Sequence, residues 1–123
     1  MTLTPEVAEQ LPLAGMAFQV LLVLAAGTNH GYGIAKEVED RTRGRTRVGT
    51  GSLYLSMAKL ADQGLIEQCQ PPAGRTDRRR RYYELTDFGR EVAIAEASRL
   101  AELEQVAGER NLLRPGALGA MEA

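Results

Sequence analysis

Tryptophan is absent from this 123-residue chain, and cysteine and histidine occur once each, as Cys69 and His30. A single cysteine cannot close an intrachain disulfide, and neither residue has a second Cys or His at metal-ligand spacing. A disulfide-built scaffold and a zinc module are therefore excluded, and Cys69 reads as a half-buried thiol in a strand. Long apolar runs are missing too. The strongest, Met16 to Ala26, is 11 residues long and includes Gln19, against the roughly 20 that a bilayer span needs. It reads as a buried helix. The first ten residues hold two glutamates and no basic residue, which is not the start of a secretory signal, so the expected location is the cytoplasm. Lysine is scarce as well, with two lysines against 13 arginines. That balance suits planar recognition of phosphate.

What is present is the composition of one ordinary globular domain, 44% hydrophobic and 25% charged, large enough for a modest core. The net charge of −1 conceals a block structure. Residues 1–40 carry −4, residues 41–81 carry +7 and residues 82–123 carry −4. Within the basic block, Arg78 to Arg81 are four arginines in a row. Such a run repels itself unless a polyanion or neighbouring acids answer it, and a basic segment on a near-neutral protein points first to nucleic acid.

Apolar residues at spacings of three and four, Leu13, Met16, Ala17, Val20, Leu21 and Leu24, mark a first helix within Pro12 to Ala26. Phe18, Leu22 and Val23 widen its apolar face, so it is covered on more than one side. A second helix is expected from about Tyr32 to Thr42, with Ile34, Val38 and Ala35 inward. A basic, glycine-rich loop over 41–51 leads to a third helix from about Gly51 to Gln63, on which Leu53, Met57, Leu60 and Ala61 form one stripe and Gly64 is the left-handed stop. Two short strands follow, "LIEQCQ" and "RRRRYYELT", around a proline and glycine turn. Thr86 is placed to cap, and Asp87 to begin, a final helix running to Leu113, with Val92, Ala93, Ala97, Leu100, Leu103 and Ala107 as its apolar strip. The reading divides the chain into an N-terminal arm (1–11), a core domain (12–86), a C-terminal helix (87–113) and a frayed tail (114–123).

Three helices followed by a hairpin is the order of a winged helix-turn-helix, mainly α with a small β hairpin. In that class the third helix enters the DNA major groove and the hairpin, or wing, lies on the adjacent backbone or minor groove. Arg75, Arg78 and Arg79, nearest the turn, are the expected wing contacts; Arg80 and Arg81 face either phosphate or an acid such as Glu67. Tyr54, near the start of the third helix, is placed to bond phosphate through its hydroxyl, while Tyr32 reads equally as a contact or as packing. Thr50 and Ser52 lie at the loop-to-helix junction, where hydroxyls meet phosphate or base edges and also cap the helix. Lys59, two turns in, reads as a backbone contact or a solvated side chain. His30 reads as a cap, because no serine or cysteine nucleophile and no carboxylate pair is patterned around it. "GTGS" lacks the lysine of a nucleotide-binding loop. The pattern implies neither catalysis, nor a metal, nor a cofactor.

The strings "HGYGI" (30–34), "GTGSLYLSMAKLADQGLI" (49–66) and "RRRRYYELTDFG" (78–89) resemble, in order and spacing, the phenolic-acid-repressor-like (PadR) family of bacterial transcription regulators. The resemblance covers roughly residues 12–113. The family's pattern usually has proline after the recognition-helix tyrosine, where this chain has Leu55, and often an acid after the residue matching Leu60, where this chain has Ala61. It implies a homodimeric winged-helix repressor held by its C-terminal helix with help from the first helix, through Val92, Leu100, Leu103, Val20 and Leu24. A two-fold dimer presents two recognition helices about 34 Å apart to a pseudo-palindromic operator. Control is expected through an effector or partner that changes wing spacing; without tryptophan the chain cannot copy relatives that sandwich flat drugs between tryptophans. The rival reading is a winged-helix module that uses the same surface to bind protein.

Overall fold

A computed structural model of the chain describes residues 3–72 and 80–114. The element order is α1 (Pro5–Glu9), α2 (Gly15–Ala25), β1 (Asn29–His30), α3 (Gly31–Arg41), α4 (Thr50–Asp62), β2 (Ile66–Cys69), β3 (Tyr82–Leu85) and α5 (Asp87–Glu109). This is a winged helix with a long C-terminal helix, and its α2, α3 and α4 are the three helices expected from sequence.

The centre is α2, which packs against α3, α4, α5 and β3. Val20, Leu21, Val23 and Leu24 are buried on it, and Ile34 and Val38 of α3 and Leu53, Met57 and Leu60 of α4 close the core around them. Covering α2 on several sides explains why its apolar residues spread beyond one stripe. The N-terminal arm contains a helix that periodicity did not announce. Thr4 caps it, accepting from the Val7 amide at 3.2 Å, and Val7 is buried in the core.

Local signals set the ends of the helices. Gly64, with φ of +77°, stops α4 in the left-handed conformation glycine adopts without penalty. The Leu65 amide then donates to the Leu60 carbonyl at 2.9 Å and the Gly64 amide to that of Ala61 at 3.0 Å, the paired bonds of a Schellman stop. Thr86 begins α5 by accepting from the Gly89 amide at 2.9 Å. That helix ends at Glu109, four residues before the expected Leu113. Asn111, with φ of 61°, makes the same kind of stop, its neighbour Leu112 donating to the Ala107 carbonyl at 2.9 Å. Apolar residues continue through Leu112 and Leu113, so periodicity alone carried the helix too far.

The strands form a three-stranded antiparallel sheet in the order β1-β3-β2, one strand more than the expected hairpin. β1 is two residues long and pairs Asn29 with Tyr83 and His30 with Tyr82, too short for any alternation to be read. Cys69 is half-buried at the end of β2; burial foremost pushes its thiol up from the ordinary value, and the Glu84 and Glu67 carboxylates add to the rise. Glu67 faces Glu84 across the sheet, and their mutual hydrogen bond holds the Glu84 carboxyl above the usual range. Among the described residues no helix is long and apolar enough to cross a membrane.

Candidate nucleic-acid interface

β1 runs directly into α3, so His30 both edges the sheet and caps the helix. His30 accepts from the Gly33 amide through Nδ1 at 3.0 Å, which assigns Nδ1 as the unprotonated nitrogen. The ring stands edge-on to buried Tyr82, with centroids 5.2 Å apart and planes at 88°, and lies near-parallel to Tyr32 at 6.4 Å and 16°. Arg80, where the chain returns into β3, brings Nη1 to 3.1 Å from His30 Nδ1 and 3.2 Å from Nε2. Its Cζ sits 5.2 Å from the centre of the Tyr32 ring, a cation–π distance. Tyr54 of α4 completes the group. It packs against Gly31 so closely that a Cβ there would stand 3.2 Å from the Tyr54 hydroxyl.

His30, Tyr32, Tyr54, Arg80, Arg81 and Tyr83 line an open hollow of about 370 Å³ at the junction of α3, α4 and the wing. Tyr32 is 65% exposed and Tyr54 55%, which settles Tyr32 as a surface residue. Two arginines and two exposed tyrosines around one hollow are suited to receive a phosphate group. The structure thus brings together three of the expected residues, Tyr32, Tyr54 and Arg80, and adds three not counted in the site, His30, Arg81 and Tyr83. His30 carried a sequence signal only as a cap. Its second role, holding Arg80, depends on a residue 50 positions away.

Thr50, Ser52 and Lys59 are exposed along α4. Arg75, Arg78 and Arg79 lie outside the described residues. The loop before α4 carries Arg43, Arg45 and Arg47, all exposed, and is anchored by Glu39, whose Oε2 accepts from the Val48 amide at 3.0 Å. These arginines were counted in the basic block without being singled out as contacts.

The residues named for dimerisation divide into two groups. Leu100 and Leu103 are exposed on α5, at 39% and 54%. Val20, Leu24 and Val92 belong instead to the protomer's own core, at 0%, 2% and 0% exposed, so they have no surface to offer a second copy. The same 3.6-residue periodicity marks a face turned to a partner and a face turned inward, which is why sequence did not separate them. Among the described residues no group of three or more His, Cys, Asp or Glu side chains is placed to hold a metal ion.

The family model described as "Transcriptional regulator PadR-like family" matches residues 20–95, which span α2 through most of the first half of α5. The chain belongs to this family. PadR-like regulators are transcriptional regulators, not enzymes, and the shared segment contains the whole hollow just described. Solved structures agree in fold. A transcriptional regulator from Clostridium thermocellum aligns with a TM-score of 0.66 at 20% identity, over 88% of this chain and 97% of that one. A PadR family transcription regulator from Clostridium difficile R20291 aligns at 0.66 and 22% identity, over 78% and 97%. RosR of H. salinarum aligns at 0.59 and 24% identity, over 81% and 79%. No curated protein matches the PadR-like chain.

Proposed function

We propose that this PadR-like chain is a cytoplasmic, sequence-specific double-stranded-DNA-binding regulator that acts as a homodimer and represses transcription. The observation that carries the reading is the Tyr32, Tyr54, Arg80 and His30 cluster, where aromatic rings and an arginine from separate segments of the chain line one exposed hollow. In this reading α4 enters the major groove, the hollow holds a backbone phosphate beside it, and Arg75, Arg78 and Arg79 extend the wing along backbone or minor groove. Thr50, Ser52 and Lys59 contact phosphates or base edges from α4.

The homodimer rests on the exposed apolar side of α5. Leu100, Leu103 and Val106 are 39% to 54% exposed and share one face of the second half of α5, a helix of 23 residues. Apolar side chains grouped on one helix face and left in water make an unfavourable surface, and a two-fold copy covers it. The operator is then pseudo-palindromic, and an effector or partner that favours one dimer geometry sets the spacing of the two recognition helices.

The test is a fluorescence-anisotropy titration at two salt concentrations with the DNA upstream of the protein's own coding sequence and a scrambled duplex of equal length. Tighter binding to the upstream DNA, weakening with salt, is expected. Equal binding to both, with no salt dependence, would refute the reading in favour of a protein-binding module.

A further inference from the structure

The outward face of α4 is apolar as far as Asp62 in its last turn. Leu53, Met57 and Leu60 point into the core, and directly opposite them, at spacings of four, three and four, come Gly51, Leu55, Ala58 and Asp62, all exposed. Leu55 is 76% exposed, the most exposed of the large apolar side chains among the described residues. It stands at the rim of a cleft of about 280 Å³ between α4 and the segment before α2, near Leu13 and Ala17, but its exposure means that it does not fill that cleft. Gly51 and Ala58, one turn to either side, are too small to hold a facing surface away from it. Serine and lysine flank this face at Ser52 and Lys59, and Tyr54 borders its other side. No arginine, asparagine or glutamine lies within α4, so Lys59, in its last turn, is the helix's one side chain of the kinds that pair bidentately with guanine or adenine.

We infer that Leu55 is the specificity-determining residue of α4, reading duplex DNA by contact with the 5-methyl group of thymine in the major groove. The inference rests on the DNA-binding reading above. The methyl is the one apolar feature that a base pair displays in that groove, and contact with it needs an apolar side chain on a closely approaching helix. Leu55 sits in the N-terminal half of α4, the half that reaches base edges when a recognition helix enters the groove. Asp62 at the far end of the same face is repelled by phosphate, which favours entry by the N-terminal half. The setting is complementary to a polyanion: the helix is preceded by Arg43, Arg45 and Arg47 and flanked by the Arg80 and Arg81 hollow. An apolar residue so placed gains contact only where a methyl is presented.

The experiment begins with selection of a preferred duplex from a random library by the full-length chain. Each thymine of the selected half-site is then replaced singly by uracil, which keeps every base-pairing and groove hydrogen-bonding atom and removes only the methyl. Anisotropy titrations compare the original protein with Leu55→Ala. Burial of one methyl-sized group corresponds to about a fourfold change in affinity, about 0.8 kcal/mol. At one thymine position or more the original protein should bind the uracil duplex about fourfold less tightly, and Leu55→Ala, a surface substitution, should bind both duplexes equally. Equal binding of thymine and uracil duplexes by the original protein at every position would overturn the inference while leaving DNA binding intact. So would the same discrimination retained by Leu55→Ala, since the methyl would then be sensed elsewhere. Enrichment of no duplex would overturn the sequence-specific DNA-binding reading and this inference together.

Discussion

Replacing Glu96 by alanine should loosen the joint between α5 and the start of α2. Glu96 is 1% exposed on α5, the one buried carboxylate among the described residues. Its Oε2 accepts from the Leu13 amide at 2.7 Å, across 83 positions of sequence, and its Oε1 accepts from Arg99 one turn later. Leu13 lies just before α2, so this carboxylate ties the start of the central helix to the long C-terminal one. A hydrogen bond to a charged acceptor contributes about 1.5 to 3 kcal/mol. Arg99, a third exposed, rehydrates when its partner is removed. The alanine variant should therefore lose about 2 to 3 kcal/mol. Glu96→Gln keeps an acceptor for the Leu13 amide but makes it neutral, and should lose about 1 kcal/mol, or about 3 to 5 °C in melting temperature for a domain of this size.

The acid dependence gives this prediction its sign. The hydrogen bond from Arg99, foremost, and that from the Leu13 amide hold the Glu96 carboxyl below its ordinary value of 4.5, against the opposing effect of burial. A depressed folded-state value contributes stability above the unfolded value and loses it as pH falls through the folded one. The gap between the original protein and Glu96→Gln should thus be full at pH 7 and close below about pH 4.5. Urea denaturation at fixed protein concentration, followed by circular dichroism from pH 7 to pH 3, measures it. A gap that stays constant across that range, or an alanine variant within 0.5 kcal/mol of the original at pH 7, would refute the argument, because a charged acceptor for Leu13 would then contribute nothing.

Gly89→Ala sets helix propensity against space: alanine favours a helix by about 1 kcal/mol, but a Cβ at Gly89 would overlap the Leu65 carbonyl oxygen and stand 2.9 Å from its carbon and 3.0 Å from Leu85 Cδ1. Overpacking of that severity costs about 1 to 3 kcal/mol, so urea denaturation should find the variant less stable, and a gain in stability would refute the packing argument. Arg80→Ala should weaken binding to every duplex and reduce the salt slope of log K by up to about 0.9; an unchanged slope would remove Arg80 from the phosphate contacts. Leu100→Asp combined with Leu103→Asp should yield monomers in sedimentation velocity and lower operator affinity, and a persisting dimer would place the interface away from α5.

The helices were legible because their signals are local. Thr86 as a cap, Gly64 as a stop and the three-and-four spacing of Leu53, Met57 and Leu60 each act within one or two turns, so neighbouring residues suffice to specify them. The family motifs likewise lie in short strings, and Tyr54 and Arg80 could be named as site residues from position alone. Other features were set by contacts between distant segments. β1 exists because β3 offers Asn29 and His30 a ladder of hydrogen bonds. His30 becomes part of the site because the chain returns to place Arg80 against it, and Glu96 is buried ionised because Leu13 supplies an amide. Above all, periodicity identified Val20, Leu24, Val92, Leu100 and Leu103 alike as apolar faces. Only packing assigned the first three to the core and left the last two in water, since a hydrophobic stripe records that a surface must be covered and tertiary structure decides by what.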